Sequence, residues 1–290
     1  MTKATIFAEQ ARVLAHQALP AGQFLLRLAA PQCASHVQPG NFIHLSCGHE
    51  KYRLKRPFSV LRSHREQGWI EILYKVVGSG TNDLSQIQVD DTVHCMGPIG
   101  NAFKLSSNTK RPLLLGGGVG IPPIVFFAEQ LKKHSNITPM VIMGSEIPFP
   151  FKVEPSKLIV DDMPRDVIAA MTLLDDLSIP SRLTSKQGYA GCFDGYIHEL
   201  AKCWLDSLGP KLYKDIEIFA CGPTPMLKAV AELSQQYSIA CQLSLEEYMA
   251  CAVGGCAGCT VKVINTSGQA QMKRVCVDGP IFSAEAVYPV

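Results

Sequence analysis

The rhythm of apolar and polar positions changes twice along this chain. Up to about Phe103, short runs rich in β-branched and aromatic residues alternate with turn signals. Gln23–Ala29, Asn41–Cys47, Trp69–Val77 and Thr92–Met96 read as strands, with Pro39-Gly40, Gly78-Ser79-Gly80 and Gly97-Pro98 as the punctuation between them. No helical period runs through this stretch, and the spacing predicts an antiparallel barrel or sandwich. From Arg111 to about Cys241 the grammar becomes strand–turn–helix. Pro112–Leu115 predicts a buried strand and Pro122–Lys133 a helix. Ile197, Leu200, Ala201, Trp204, Leu205 and Leu208 follow the i, i+3, i+4, i+7 stripe of an amphipathic helix. Ile216–Ala220 predicts another strand, and a helix is expected from Pro225 to Tyr237. Such alternation implies a parallel sheet with helices on its faces. From about Gln242 onward the chain is a cysteine-bearing tail with little room for a core of its own. No internal repeat or low-complexity tract interrupts the three stretches.

Composition narrows the classes. A chain of 290 residues is long enough for about two ordinary domains. With 18% charged and 47% hydrophobic residues it is globular rather than disordered or fibrous. A formal charge of +2 gives no reason to expect nucleic acid or an anionic membrane as partner. No apolar run approaches the length that spans a bilayer, and the start, Met1-Thr2-Lys3-Ala4-Thr5, lacks the apolar core of a signal peptide. The expected location is the cytoplasm. There, eleven cysteines do not read as a disulfide framework. Cys33, Cys47, Cys95, Cys192, Cys203, Cys221 and Cys241 are scattered and are expected mostly as small buried hydrophobes.

Cys251, Cys256, Cys259 and Cys276 need a different explanation. Cys251-(x4)-Cys256-(x2)-Cys259-(x16)-Cys276 reproduces the plant-type C-x4-C-x2-C…C spacing of 2Fe–2S proteins. Four thiolates must converge on a compact cluster, so a tight loop supplies three ligands and a later segment returns with the fourth. Ala252, Gly254, Gly255, Ala257 and Gly258 are small enough to let the backbone wrap and aim N–H groups at sulfur. The alternative is a structural zinc site, although zinc motifs usually present paired C-x2-C knuckles.

Three further motifs carry chemistry. Gly116-Gly117-Gly118-Val119-Gly120-Ile121-Pro122-Pro123 follows a predicted strand and opens a helix, where glycines and free N–H groups accommodate a phosphate. Proline in the first helical turn loses no hydrogen bond. The motif departs from G-x-G-x-x-G, and tight packing is its alternative reading. Arg56-Pro57-Phe58-Ser59 offers a guanidinium fork for a diphosphate beside an aromatic; Tyr74-Lys75 and Gly78-Ser79-Gly80-Thr81 offer a second phosphate-facing wall. Either is equally readable as ordinary barrel surface. Cys221-Gly222-Pro223 ends a strand at the sheet edge where α/β ligands bind, with a buried filler thiol as the alternative for Cys221.

Taken in order, these motifs resemble the ferredoxin–NADP reductase superfamily: R-x-[YFT]-[ST] in a flavin-binding barrel, then G-G-G-x-G-x-x-P and C-G-P in a nicotinamide domain. Ser244–Lys262 with Arg274–Phe282 is similar to the electron-transfer subunits of NAD-linked, two-subunit dihydroorotate dehydrogenases. The resemblance implies an FAD-binding antiparallel β-barrel over residues 1–104, a parallel-sheet NAD(P)-binding α/β domain over 105–241 and a small C-terminal 2Fe–2S domain over 242–290. It also implies a route in which dihydroorotate reduces FMN in a separate catalytic subunit. Electrons then pass through the cluster and FAD of this chain to NAD+, in pyrimidine biosynthesis. By the same resemblance Arg56, Pro57, Phe58, Ser59, Leu73, Tyr74, Lys75, Gly80 and Thr81 would hold FAD. Gly116, Gly117, Gly118, Gly120, Gly222 and Pro223 would frame the nicotinamide cofactor, with Cys221 near its ring as a positioning residue. Cys251, Cys256, Cys259 and Cys276 would hold the cluster.

The sequence departs from that family in three places. Gly144–Leu183 is long and broken by Pro148, Pro150, Pro155, Pro164 and Pro180. Thr184-Ser185-Lys186-Gln187 stands where an acidic residue is expected for NAD, and a Ser–basic pair leaves NADP open. Ala252 follows Cys251 where glycine is usual. The competing readings are another NAD(P)H-dependent iron–sulfur flavoprotein reductase and, from a different class, a zinc-stabilised binding protein without redox activity.

Overall fold

Strand-forming runs in the first hundred residues close on themselves. The computed structural model describes residues 6–47 and 54–289, so the segment Met1–Thr5 read above lies outside the described residues. Six strands, β1 (Phe7–Leu19), β2 (Gln23–Ala29), β3 (Phe42–Leu45), β4 (Arg56–His64), β5 (Trp69–Lys75) and β6 (Thr92–Ile99), form an antiparallel barrel in the order β1-β2-β5-β4-β3-β6. A barrel, not a sandwich, is therefore the first unit. Its longest strand, β1, gives no apolar run because only Ala11 and Val13 among its 13 residues are buried. Two short helices, α1 (Pro31–His36) and α2 (Ser79–Leu84), correct the expectation of a helix-free stretch. At six residues each they are too short to show a 3.6-residue stripe.

The middle of the chain alternates as its periodicity predicts. Along it come β7 (Arg111–Gly117), α3 (Ile121–Leu131), β8 (Met140–Gly144), β9 (Val153–Pro155), β10 (Ala169–Met171) and α4 (Thr172–Asp176). Then follow β11 (Ser181–Thr184), α5 (Ile197–Leu208), β12 (Ile216–Cys221), α6 (Thr224–Gln236) and β13 (Cys241–Ser244). Strands β11-β8-β7-β12-β13 lie parallel in that order. The proline-rich stretch becomes the antiparallel pair β9–β10 and α4. It is pinned where Asp175 accepts from the Ser156 hydroxyl (2.5 Å) and the Lys157 amide (2.9 Å).

The tail contributes the hairpin β14 (Thr260–Ile264)–β15 (Ala270–Arg274), then β16 (Ile281–Ser283) and α7 (Ala284–Val287). Strand β16 pairs antiparallel with β13 and completes the six-stranded sheet. Residue 241 is thus the first of β13, and Ala252, Cys259, Val275 and Cys276 pack into the same core as the sheet. Asn101, just after the barrel, holds this return. Its amide donates to the carbonyls of Asp278 (3.2 Å) and Ile281 (3.1 Å), and its oxygen accepts from Ile281 N (2.9 Å).

Helix α3 joins barrel to sheet. Every residue of it except Glu129 and Gln130 is buried, because Phe126 enters the barrel core while Ile124, Phe127 and Leu131 enter the sheet core. An all-apolar helix is what burial on both sides requires. At its polar end Glu129 lies 2.9 Å from Arg62 of β4, in a geometry that is not that of a hydrogen bond. Burial therefore dominates, and the Glu129 carboxyl is pushed above its ordinary value despite the adjacent guanidinium. A carboxyl whose folded value is raised binds its proton more tightly in the folded chain. Its contribution to stability is full below the ordinary carboxylate range and is lost as pH rises through the raised value. Glu129→Gln is expected to flatten this part of the pH profile. Thermal midpoints across that range for both chains test it, and an unchanged slope in the variant would refute it.

Candidate functional site

Antiparallel pairing of β4 with β5 brings the start of one and the end of the other to the same mouth of the barrel. Arg56, Pro57, Phe58 and Ser59 there meet Leu73, Tyr74 and Lys75, and α2 adds Gly80 and Thr81. All nine line one cleft of about 1070 Å³, just above the range of about 300–1,000 Å³ usual for ligand sites. Arg56 Nη1 donates to the carbonyls of Leu54 (2.8 Å) and Lys55 (3.4 Å). Among the described residues neither Arg56 nor Lys75 has a carboxylate partner. Two cations facing an open cleft without such partners suit a diphosphate. A side chain at Gly80 would begin 3.4 Å from the Arg56 guanidinium, in ordinary contact with it, so Gly80 sits directly against that charge. Tyr74 is a fixed wall. Its ring stacks on Phe24 at 5.4 Å and meets Phe58 edge-on at 5.7 Å. Its hydroxyl pairs with His16 Nε2 (2.9 Å), and burial pushes the phenol up. Thr81 holds the turn, its Oγ1 accepting from the amides of Val77 (2.9 Å) and Gly78 (3.2 Å).

The opposite wall is the carboxyl edge of the parallel sheet. Chain order reverses between β7 and β12, which makes the crevice between their ends the switch point where such sheets bind ligands. Register sets Cys221 beside Gly116 there. Val119, Gly222 and Pro223 line the cleft. Gly118 is open on all sides at φ +54°, a left-handed conformation that glycine adopts without strain. The other glycines meet protein. A Cβ on Gly120 would overlap the Cys221 carbonyl, one on Gly117 would overlap Met226 Sδ, and one on Gly222 would sit 2.5 Å from the same sulfur. Gly116 is likewise 3.1 Å from Ile121 Cα. Close packing of the two turns accounts for these four. Cys221 is fully buried, and burial, then the Glu246 carboxylate, push its thiol up against the Ser244 hydroxyl. A thiol so protonated and enclosed is no nucleophile. At the far end of the edge, Ser185 donates to the Ser145 carbonyl (2.6 Å) and the Lys186 ammonium lies 4.9 Å above the Tyr196 ring.

The four tail cysteines form two pairs. Cys259 Sγ and Cys276 Sγ are 3.4 Å apart, and Cys251 Sγ accepts the Cys256 amide at 3.4 Å. The Gly258 amide points at Cys256 Sγ, also at 3.4 Å. Amides of Val253 and Cys256 lower the Cys251 thiol to about 6, whereas burial, then Cys259, push Cys276 up to about 11. Two thiol pairs fit a two-iron cluster, with N–H groups already aimed at sulfur. Of the scattered cysteines, Cys33, Cys47, Cys95, Cys221 and Cys241 are buried as expected, while Cys192 is half-buried and Cys203 exposed.

Sequence reasoning missed the third wall of the cleft. Ser244, Glu246, Tyr248, Ala250 and Gly258 close it, so the cysteine loop borders the same space as the barrel and the sheet edge. Glu246 is exposed and opens onto the cleft, whose walls partly desolvate its carboxyl and raise it. Nothing in a lone Glu-Glu pair signals this; only the turn out of β13 aims it inward. Within the loop, Ala252 is buried and left-handed at φ +55°. A β-branched residue cannot adopt that conformation without strain of about 1–2 kcal/mol or more. Ala252→Val is therefore expected to lower iron content in protein made with ample iron, and Ala252→Gly to leave it unchanged. Equal iron in all three chains would show that the loop tolerates the strain.

Known proteins resemble this chain over most of its length. A family model for the oxidoreductase FAD-binding domain matches residues 13–103. Another, for the iron-sulfur cluster binding domain of dihydroorotate dehydrogenase B, matches residues 246–288. Dihydroorotate dehydrogenase B (NAD(+)), electron transfer subunit, of Caldanaerobacter subterraneus subsp. tengcongensis is 35% identical over 250 residues, 86% of each chain. Its counterpart in Desulforamulus reducens is 31% identical over 274 residues, 94% of this chain and 95% of that one. A solved structure of NADH-dependent reduced ferredoxin-NADP oxidoreductase has a TM-score of 0.74 at 26% identity, covering 96% of this chain and 90% of that one. The chain belongs to the family of dihydroorotate dehydrogenase B electron transfer subunits.

Proposed function

We propose that this chain is the electron-transfer subunit of a dihydroorotate dehydrogenase, carrying electrons from a separate catalytic subunit to NAD+. One observation supports it above the others: barrel mouth, sheet edge and cysteine loop bound a single cleft. A bound flavin exchanges electrons singly or in pairs and a two-iron cluster one at a time, so together they connect a two-electron carrier to a one-electron relay. In this reading Arg56 and Lys75 neutralise the FAD diphosphate, Gly80 sits against the Arg56 charge, and Pro57, Phe58, Ser59, Leu73, Tyr74 and Thr81 shape the flavin wall. Gly118 and the Gly222-Pro223 turn face the nicotinamide cofactor, held in place by the packing of Gly116, Gly117 and Gly120. Cys221 fixes the turn from behind. Cys251 with Cys256, and Cys259 with Cys276, hold the cluster. The three units are assigned to residues 1–104, 105–241 and 242–290, with the last lending residues 242–244 of β13, and β16, to the sheet of the second.

The partner in this reading is an FMN-containing catalytic subunit, joined in a hetero-oligomer. Val253 (52% exposed) and Val277 (47%) leave apolar surface around the cysteine loop, as interaction sites do. Every cysteine is free, which suits the reducing cytoplasm assigned to the complex. No described helix is long and apolar enough to cross a membrane. The likeness to NADH-dependent reduced ferredoxin-NADP oxidoreductase supports a second reading, a reductase serving another acceptor.

Val253→Glu separates the two. It sets a charge on the apolar rim, and Val253 is not among the left-handed residues that would add strain of their own. Gel filtration with the catalytic subunit should show a weakened complex, and dihydroorotate-to-NAD turnover should fall at least tenfold, the equivalent of about 1.4 kcal/mol of docking energy. NADH reduction of an artificial dye through the barrel should persist. Failure of the parent chain to bind any such subunit at micromolar concentration would favour the second reading, and dihydroorotate oxidation by the isolated chain would overturn both.

Cofactor choice rests on Lys186, which has no carboxylate partner among the described residues. NAD is the expected substrate, with NADP accepted because an ammonium there suits a 2′-phosphate. A hydrogen bond to a charged group contributes about 1.5–3 kcal/mol. Lys186→Asp should therefore raise the KM for NADP by at least about tenfold relative to that for NAD. Unchanged ratios would remove this segment from cofactor selection.

A further inference from the structure

The cysteine loop is tied to the strand that follows it by one side chain. Arg274, at the end of β15 and two residues before Cys276, donates from Nη1 to the Gly254 carbonyl at 3.0 Å. Gly254 lies between Cys251 and Cys256 at φ +81°, and a Cβ there would sit 2.6 Å from Val277 and 3.3 Å from Arg274 Nη1. The backbone at Gly254 is thus pressed against Arg274 with no room for a side chain. Across the same turn Asp278 Oδ2 accepts the Arg274 amide at 2.8 Å and stands 3.6 Å from its Nε. Asp278 is in turn anchored, its carbonyl accepting from Asn101. The guanidinium therefore bridges the loop of one thiol pair to the segment carrying the other.

We propose that Arg274 is a positioning residue of the cluster site and sets the charge beside it. A guanidinium stays protonated at every working pH. Its ion pair with Asp278 is long and half in solvent, with the two side chains 42% and 29% exposed, so the positive charge is only partly offset. Four thiolates around two irons leave a net negative site, and reduction adds to that charge. Net charge and hydrogen bonds near the sulfurs set the potential of such clusters. A fixed cation favours the reduced form, and the Asp278 carboxylate works against it. The two residues therefore pull the potential in opposite directions while holding the same turn together. This rests on the cluster assignment made above.

The opposition supplies the test. Full-length chains with bound FAD are titrated anaerobically and the cluster followed by electron paramagnetic resonance. Arg274→Gln should lower the midpoint potential and Asp278→Asn should raise it. Each shift should change the reduced-to-oxidised ratio at fixed potential by about tenfold, the scale of one partly screened charge several ångströms away. Arg274→Lys, which keeps the charge, should stay near the parent. A clasp with only a mechanical role would move the Gln and Asn variants the same way or not at all, and that result overturns the proposal. Should Arg274→Gln lose its cluster, the Asn and Lys variants still decide: an unchanged or lowered potential in Asp278→Asn refutes it. A parent chain with zinc and no iron signal would instead bring down the cluster reading itself.

Discussion

Everything in this molecule depends on α3 being buried from two sides. Its sequence, Ile-Pro-Pro-Ile-Val-Phe-Phe-Ala, has no polar stripe to give to water, so neither barrel nor sheet alone can satisfy it. Phe126 commits it to the barrel, and Phe127 stacks on Phe103 at 5.4 Å and meets Phe219 edge-on at 4.9 Å on the sheet side. Fully burying a side chain of that size contributes about 1.5–3 kcal/mol, so sliding barrel past sheet would be costly. The helix begins just after the Gly116–Gly120 turn. Docking its body therefore also places the switch point of the sheet opposite the barrel mouth.

The tail shows the same economy of means. It has too few apolar residues to fold alone, so β16 and α7 borrow the edge of the sheet and the hairpin β14–β15 rests on α7. Left-handed residues at Ala252, Gly254 and Ala257 curl the loop tightly enough to turn amides toward sulfur. Most of the binding order thus resides in the backbone before any ligand arrives. The low value of the Cys251 thiol is the electrostatic sign of it.

Regular patterns were legible and convergence was not. The α5 stripe, the β7 and β12 strands and the C-x4-C-x2-C spacing could each be read from local residues, because helix period, strand burial and ligand spacing are local properties. The strand β1 was missed because alternating exposure in a barrel wall leaves a weak signal. The glycines of the β7–α3 turn were read toward phosphate, but Gly117 and Gly120 answer to Met226 and Cys221, more than a hundred residues away in sequence. Glu246 and Arg274 were illegible for the same reason. Their significance lies in what a distant turn brings to them, and one sequence contains no record of that.

The shared wall has a mechanical consequence for an electron relay. Ala250 and Gly258 of the cysteine loop border the cleft that Arg56 and Lys75 face, so no separate protein layer stands between that cleft and the loop. Electron transfer needs closeness and rigidity rather than chemistry at either end. Rigidity here comes from Asn101, which fixes the return of the tail to the end of the barrel through three hydrogen bonds. The surface around the loop, by contrast, is left apolar and open at Val253 and Val277. One side of the loop thus borders the chain's own cleft, and the other is left open.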